Sequence, residues 1–305
     1  MFSNTSSTST AARSLTVTAY DGDSISLTVD ETIDAFAPAE VTAAYVKGST
    51  WGSTFTTYLG SHSLGNASTP TLGYALKTGS AQTTVLPWSN LNTIELTFNE
   101  PLSSLSASSL ILSGGTGSGI LAPPTVTGFS SLGGNTYQWT LSGSLTNNKY
   151  EISLLSGSVT DSRGAGLDGE FTTGTSTFPS GNGLAGGNFD FYFNVLPGNS
   201  NQNGTVSATS ANLIKSTLND RTSSAGYDPY YDITGSGTIG AVDSNLAKAN
   251  INARNSSASS PPALTTAGGA ASGGADITQL ALGVQESNKA TDRAVSDFDL
   301  ADLWV

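Results

Sequence analysis

The sequence predicts a mainly β fold, an antiparallel sandwich, followed by a small α-helical module. Two observations lead to this expectation. Short runs of alternating apolar and polar residues, separated by turns rich in Ser, Asn and Gly, fill the first part of the 305-residue chain and are typical of sandwich strands. Beyond about residue 195, apolar residues recur every three or four positions, which is typical of helices.

Residues 1–37 are expected to form a flexible lead-in and a β-hairpin. The segment 1–13 is polar and rich in Ser and Thr, as mobile termini often are. Alternating segments lie on both sides of Asp21-Gly22-Asp23, a sequence that favours a tight hairpin turn. The hairpin is therefore predicted to precede the sandwich.

Residues 38–177 are predicted to form the sandwich itself. Trp88 and Trp139 are expected in its core, because single aromatic residues in such strands usually face inward. The apolar spacing at 51–59 predicts one or two helical turns. The clearest predicted strands are residues 41–46, 93–98, 110–112, 136–141 and 150–155.

Three segments complete the predicted domain organisation. Residues 178–194 are interpreted as a linker and a strand, and residues 195–254 as a helical module. Within that module, apolar spacing predicts helices at 207–218 and 240–252. Residues 255–305 are predicted to be a flexible linker, rich in Ser, Pro, Ala and Gly, and an acidic C-terminal tail.

Composition excludes several classes of function. The chain has 11 basic and 23 acidic residues and a net charge of −12, which disfavours binding to nucleic acid. It has no Cys, and His62 is its only histidine, so thiol chemistry and sites that need two imidazoles are excluded. No apolar run is long enough for a membrane span, and the N-terminus lacks the pattern of a signal peptide.

No catalytic residue is predicted. His62 lies in a loop-like sequence with no nucleophile motif beside it. Glycosidase chemistry needs two carboxyl groups at a fixed separation. Five carboxylates are available, and all are expected to be solvated surface residues: Glu95, Glu100, Asp161, Asp168 and Glu170.

Two segments have the layout of a calcium-binding loop, and we call residues 199–210 loop one and residues 232–243 loop two. In both, oxygen-bearing residues fill the first, third, fifth and twelfth places, with Gly sixth and a helix following. Such side chains converge on one cation, and the backbone carbonyl at the seventh place adds a ligand. The candidate calcium ligands are Asn199, Asn201, Asn203, Thr205 and Ser210 in loop one, and Asp232, Thr234, Ser236, Thr238 and Asp243 in loop two.

The charge of the candidate ligands differs between the loops. Calcium affinity in such loops follows the number of carboxylates. Loop one has none and is predicted to be degenerate and either empty or dependent on calcium at about the millimolar level. Loop two keeps Asp232 and Asp243 and is predicted to bind calcium weakly. The alternative for both is a relic turn, held by Asx-type hydrogen bonds instead of an ion.

The duplicated loops, their helices and the connecting residues 226–232 resemble a dockerin type I module, over about residues 195–254. The resemblance implies two EF-hand-like loops and a protein partner of the cohesin type. In dockerins, the tenth and eleventh places of each loop contact that partner. Here they are Ala208-Thr209 and Ala241-Val242, in place of the common hydroxyl pair.

The region before the module carries a second resemblance. Residues 91–101 resemble the opening strand of many bacterial Ig-like surface modules, and residues 159–169 resemble their closing turn. Together with residues 177–183 and 193–198, they resemble the C-terminal regions of large exported planctomycete proteins. There an Ig-like β-sandwich precedes a dockerin-like module.

These resemblances imply a non-catalytic protein, exported or located at the cell surface, that attaches to a protein partner through the dockerin-like module. The partner is expected to be cohesin-like or another cell-surface component, with polysaccharide as a further possibility. One alternative is the accessory C-terminal part of a polysaccharide-degrading enzyme. Another is a structural subunit of a surface layer or fibre. No nucleic-acid partner is expected.

Overall fold

The computed structural model describes residues 9–18, 24–33, 37–115, 121–255 and 264–266, with the side chains of 37–115 and 121–255. Two five-stranded sheets dominate these residues, and few helices accompany them. The prediction of a mainly β sandwich is confirmed. In chain order the elements are β1 (Ser9–Thr18), β2 (Ser24–Ile33), β3 (Val41–Gly48), α1 (Ser53–Ser61), β4 (Tyr74–Ala75), β5 (Val85–Leu86), β6 (Leu91–Phe98), β7 (Leu110–Gly115), β8 (Val126–Gly133), β9 (Thr136–Leu141), β10 (Asn148–Leu154), β11 (Phe189–Val195), α2 (Ala208–Ser216), α3 (Ala241–Ala249) and β12 (Leu264–Thr266).

The first sheet has the order β4-β3-β6-β9-β8, and the second has the order β12-β7-β10-β11-β5. All neighbouring strands are antiparallel except β11 and β5. Inward-facing side chains alternate along the strands, as in Tyr150, Ile152 and Leu154 of β10, which are all buried. Trp88 and Trp139 are fully buried, as predicted.

The predicted N-terminal hairpin forms between β1 and β2, in continuous antiparallel register. Strand β1 begins at Ser9, inside the segment predicted to be a flexible lead-in. The Ser and Thr residues at its start are compatible with a strand, because Ser9 and Thr10 extend the pairing to Ile33 and Thr32. The polar composition of residues 1–13 gave no sign that this segment pairs with the end of β2.

Residues 178–187, which resemble a linker in sequence, are held against the sandwich. Ser180 is buried, and its hydroxyl donates to the carbonyl of Asp168 and accepts from the amide of Val41. Strand β11 then pairs with β10 along its whole length, so it belongs to the second sheet. Farther on, β12 pairs with β7 inside the predicted flexible linker, and the predicted acidic tail lies outside the described residues.

The expectation that Glu95 is solvated is wrong. Strand β6 lies in the middle of its sheet, and the segment that leads into β4 covers its outer face, so Glu95 is fully buried. The amide of Gly73 donates to Glu95 Oε2 at 2.8 Å, while Oε1 has no hydrogen-bond partner. Burial raises the pKa of this carboxyl, against the Gly73 hydrogen bond and the charge of Lys47.

Asp161 and Asp168 are also fully buried, contrary to expectation. Each carboxylate organises a turn by accepting backbone hydrogen bonds. Asp161 Oδ1 accepts from the amides of Arg163 and Ala165, both at 2.8 Å. Asp168 accepts from Asn182 and Gly183 at 2.8 and 2.7 Å. The contacts of Asp161 form an Asx-type turn, whereas those of Asp168 come from a distant segment; in both cases backbone amides replace water around the buried acid.

Candidate metal centre in the paired loops

The two loops and their helices are a structural duplication. Three pairs of residues at equivalent places of the repeat share the left-handed backbone conformation: Gln202 with Gly235 (φ 53° and 67°), Gly204 with Gly237 (81° and 87°), and Asn219 with Asn252 (both 74°). Helices α2 and α3 begin and end at equivalent positions. The matched conformations extend the repeat beyond each helix, to residues outside the loops.

Each loop pairs with the segment that follows the helix of the other repeat. In loop one, Val206 exchanges backbone hydrogen bonds with Asn252 and Ala253. In loop two, Ile239 exchanges them with Asn219 and Asp220. Val206 and Ile239 are both fully buried. This reciprocal pairing joins the two repeats into one module, so neither loop is an isolated turn.

In loop one, the side-chain amide of Asn199 occupies the centre on which the candidate ligands converge. Its Nδ2 lies 3.1 Å from Asn201 Oδ1, 3.1 Å from Asn203 Oδ1 and 2.7 Å from the carbonyl oxygen of Thr205. These are the oxygens of the third, fifth and seventh places. Asn199 is fully buried. An uncharged N–H donor therefore holds the oxygens that would otherwise face a cation.

The orientation of the Asn199 amide follows from its neighbours. Its Oδ1 accepts from the amide of Gly204 at 3.0 Å, which only an oxygen can do. Turning the amide over would place that oxygen against three other oxygen acceptors. The hydroxyl oxygen of Ser210, at the twelfth place, accepts from the backbone amide of Ser207, just before α2.

In loop two, the first place holds a carboxylate that is surrounded by donors. Asp232 is fully buried. Its Oδ2 accepts from the hydroxyl of Tyr227 and the amide of Gly237, both at 2.7 Å. Its Oδ1 accepts from the amide of Ser236 at 3.0 Å and the hydroxyl of Thr234 at 3.2 Å. Asp232 thus ties the connecting segment to the loop.

Asp243, at the twelfth place, closes loop two from the other side. It is 1% exposed. Its Oδ1 accepts from the amide and the hydroxyl of Thr234, at 2.8 and 2.9 Å, and its Oδ2 accepts from the amide of Gly240 at 2.7 Å. The Ser236 hydroxyl donates to the carbonyl of Thr238 at 2.9 Å. All five candidate ligands of loop two therefore lie in one connected network.

The two loops differ in the number of buried charged groups. Burial raises the pKa of Asp232, and the neighbouring charge of Asp243 raises it further, while the hydrogen bonds from Tyr227 and the loop amides oppose the shift. Burial and the Asp232 charge also raise the pKa of Tyr227, so its hydroxyl remains a donor. Loop two holds two buried carboxylates, whereas loop one holds none.

Loop two is packed against the sandwich. The carbonyl of Gly235 accepts from the amide of Gly52 at 2.8 Å, just before α1. A Cβ on Gly235 would overlap the indole of Trp51, so glycine is required there. The indole of Trp88 donates to the carbonyl of Pro229 at 3.0 Å. The sandwich therefore fixes both loop two and the segment that precedes it.

Sequence reasoning identified the loop positions but missed the groups that complete them. Tyr227 and Trp51 lie outside the loop pattern, and the internal donor role of Asn199 has no counterpart in a ligand motif. One signal was available: the repeat continues through Lys215 and Lys248 to Arg221 and Arg254. This longer sequence repeat ends close to Asn219 and Asn252, where the matched backbone conformations also end.

Outside the two loops, we considered metal-binding groups, membrane-spanning helices and the single histidine. Within residues 37–115 and 121–255, no three His, Asp or Glu side chains form a metal-binding group. No helix in the described part of the chain has the length and hydropathy needed to cross a membrane. His62 is exposed and stacks on Tyr58, with ring centroids 3.7 Å apart, beside a shallow groove lined by hydroxyl groups.

No family model and no curated protein matches the chain. Among solved structures, similarity is found to three structures of the S-layer protein SbsC. The structure of its larger fragment is 16% identical, with a TM-score of 0.21, over 37% of this chain and 12% of that one. Its domains 1–6 are 14% identical, with a TM-score of 0.23, over 38% and 13%. Its N-terminal part is 15% identical, with a TM-score of 0.21, over 39% and 23%, so the chain spans less than a quarter of each.

Proposed function

We propose that this is a non-catalytic, exported or cell-surface protein that attaches to a protein partner through its dockerin-like module, residues 195–254. In this proposal, loop two binds calcium weakly and loop one binds none. The sandwich acts as the Ig-like support on which the module is mounted. The observation that carries the proposal is the contrast between two loops of matched backbone, one filled by an amide donor and one lined by two buried carboxylates.

The charge of loop two supports the calcium assignment. Asp232 and Asp243 are buried, and neither forms an ion pair with a basic side chain in the described part of the chain. A divalent cation would offset their repulsion and the cost of their burial. The hydroxyls of Thr234 and Ser236 and the carbonyl of Thr238 stand at the other ligand places.

The same contacts predict weak affinity. Calcium must displace the hydrogen bonds that Thr234 makes to both carboxylates and the bond from Ser236 to Thr238. Two carboxylates are also few for a calcium loop. We expect a dissociation constant of about 1 mM, as in weak extracellular sites.

The helices supply the surface proposed for attachment. Val242, at the eleventh place of loop two, is 61% exposed, and Leu218 and Ile251, which are related by the repeat, are 36% and 39% exposed. Ala208 and Thr209 are exposed at the equivalent end of α2. Apolar side chains that remain accessible on a rigid helix pair are suited to a protein partner rather than to a charged polymer.

The calcium part is tested by calorimetric titration after chelation, comparing the natural chain with Asp232→Asn and Asp243→Asn. One site that is lost in both variants is expected. Asp220→Asn, which removes a carboxylate outside the loops, is the matched control and should leave the heat unchanged. No heat up to about 10 mM calcium would make loop two a relic turn, since that range exceeds the weakest sites of this kind.

Attachment is tested separately, by biolayer interferometry against immobilised cohesin domains. Binding that is lost in Val242→Asp but kept in Leu155→Asp, an equally drastic change on the exposed sandwich surface, is expected. Absence of binding to any cohesin, or loss in both variants, contradicts the proposal. A parallel hydrolase assay addresses the polysaccharide-degrading alternative. Turnover that one carboxylate substitution abolishes would contradict the proposal of a non-catalytic protein.

A further inference from the structure

Strand β8 is a long, open sheet edge. It pairs with β9 on one side, and no other strand among the described residues pairs with its other side. Within the two five-stranded sheets, the other edge strands, β4, β5 and β12, have only two or three residues, whereas β8 has eight. The longer strands β1 and β2 form a separate two-stranded sheet. An unpaired edge of this length presents backbone N–H and C=O groups to any strand that can align with it.

The chemistry of β8 does not block such pairing. Natural edge strands commonly carry Lys, Pro or inward-pointing charges that prevent association. From Val126 to Gly133, β8 has none of these, and Thr127, Ser130, Ser131 and Leu132 are exposed. On the inner face, Phe129 packs against Trp139 and Tyr137, with centroids 5.2 and 6.0 Å away. The strand is therefore anchored to the core while four of its side chains stay exposed.

The distribution of charge identifies the occupant. The chain has a net charge of −12, so two copies repel each other over most of their surface. The stretch 101–148 contains no Asp, Glu, Lys or Arg, and β8 lies within it. Leu121 and Leu132, in the same stretch, are 64% and 44% exposed. Two copies can approach here with little repulsion.

We propose that β8 is a self-association edge, at which two copies of this chain pair their β8 strands antiparallel about a two-fold axis. The pairing is isologous, so the same surface serves both copies. It joins the two β8-containing sheets into one continuous sheet. Irregularities in register at Val126/Gly128 and Ser131/Gly133 limit the regular run to residues 128–131, so we expect weak, concentration-dependent association. The inference goes beyond the attachment function and involves no residue of either loop.

Sedimentation velocity from about 10 µM to about 1 mM, in chelator, tests the proposal by mass action. We expect a monomer–dimer equilibrium whose dissociation constant rises at least tenfold in Ser130→Lys and in Leu132→Lys. Ser162→Lys adds the same charge to an exposed turn and should leave the equilibrium unchanged. Thermal unfolding of each variant establishes that it is folded.

Hydrogen exchange distinguishes the possible occupants of the edge. The outward-facing amides of residues 128–131 should gain protection only at concentrations where the dimer forms. Equal protection at the lowest concentration would mean that another part of the same chain covers β8, and would overturn the proposal. So would a monomer at every concentration, or a dimer that both β8 variants leave intact. The calcium and cohesin experiments leave β8 unchanged, so their failure is separate from failure here.

Discussion

Loop one and loop two have matching backbone conformations, but their buried oxygen atoms are compensated by different hydrogen-bonding groups. Both must hold several oxygens close together in a buried turn. In loop one, the neutral amide of Asn199 donates to those oxygens, and its own oxygen accepts from Gly204. In loop two, Asp232 accepts from the equivalent Gly237, and hydroxyl groups supply the donors. A single exchange of Asn for Asp at the first place thus decides whether the centre of the loop is a donor or an acceptor.

The largest expected effect comes from Asn199→Asp. The new carboxylate would keep the Gly204 hydrogen bond but would face the oxygens of Asn201, Asn203 and Thr205 without a donor. An uncompensated buried charge costs about 3–5 kcal/mol. We expect a loss of unfolding free energy of that size in chelator, measured by urea unfolding, and partial recovery in about 10 mM calcium.

The control for this substitution is Asn245→Asp, the same change at an exposed position of α3. It should alter the stability by less than about 0.5 kcal/mol, as surface changes usually do. If Asn199→Asp were as mild as Asn245→Asp, the amide of Asn199 would not be what holds loop one together.

The reciprocal change, Asp232→Asn, should make loop two resemble loop one. With its oxygen still accepting from Gly237, the amide nitrogen would face the hydroxyl oxygens of Thr234 and Ser236, but the Ser236 backbone amide would lose its acceptor. We therefore expect loss of the calcium response with a cost of about 1 kcal/mol in chelator, the size of one lost hydrogen bond. Asp232→Ala, which removes donor and acceptor together, should cost about 2–3 kcal/mol, because several buried donors lose their partner.

Urea unfolding with and without calcium distinguishes the two Asp232 variants. Equal destabilisation by Asn and Ala would show that the hydroxyl and amide groups of loop two require a charged acceptor. The similarity between the loops would then be limited to the backbone.

Much of the fold could be predicted from the sequence, because strand alternation and helical spacing are local signals. Strand β9 coincides with its predicted range, and α2 and α3 lie within theirs. The buried carboxylates could not be predicted in this way. Glu95 is buried by the segment around Gly73, which precedes its own strand, and Asp168 by a glycine-rich turn that resembles a linker. Long-range coverage of this kind leaves no trace in the residues next to the acid.

For the candidate site, the spacing of oxygen-bearing residues predicted which positions converge, since the loop geometry is encoded within a single short segment. The ligand pattern could not reveal that Asn199 points its nitrogen into the centre. It also could not reveal that Tyr227 completes the environment of Asp232. Both depend on which group donates, and side chains that carry oxygen can serve either purpose.

Glu95 provides a third case, a buried carboxylate with one donor and one unpartnered oxygen. Its pKa is raised in the folded state, so the native protein binds more protons than the unfolded chain above about pH 4.3. Its contribution to stability is therefore highest in acid and is lost as the pH rises through the raised pKa. Glu95→Gln should stabilise the protein by about 1 kcal/mol at neutral pH, and by less in acid.

The measurement is the urea midpoint between about pH 4 and about pH 8, a range that spans the titration of a raised carboxyl pKa, with Asp220→Asn as the control. A flatter profile is expected in Glu95→Gln alone. Asp232→Asn could instead flatten the pH dependence of the urea midpoint more than Glu95→Gln does. That result would mean that the donors around Asp232 compensate its charge incompletely, and it would strengthen the case for a cation in loop two.

The smallest expected effect is spectroscopic. The Trp51 indole lies against Gly235 in loop two, and its Nε1 is buried without a hydrogen-bond partner, so small movements of the loop should change its environment. Calcium should shift the tryptophan emission by a few nanometres in the natural chain, with no shift in Asp232→Asn or Trp51→Phe. A signal that persisted in Asp232→Asn would place the calcium-dependent change outside loop two, and would remove the reason for assigning the ion to the loop with two carboxylates.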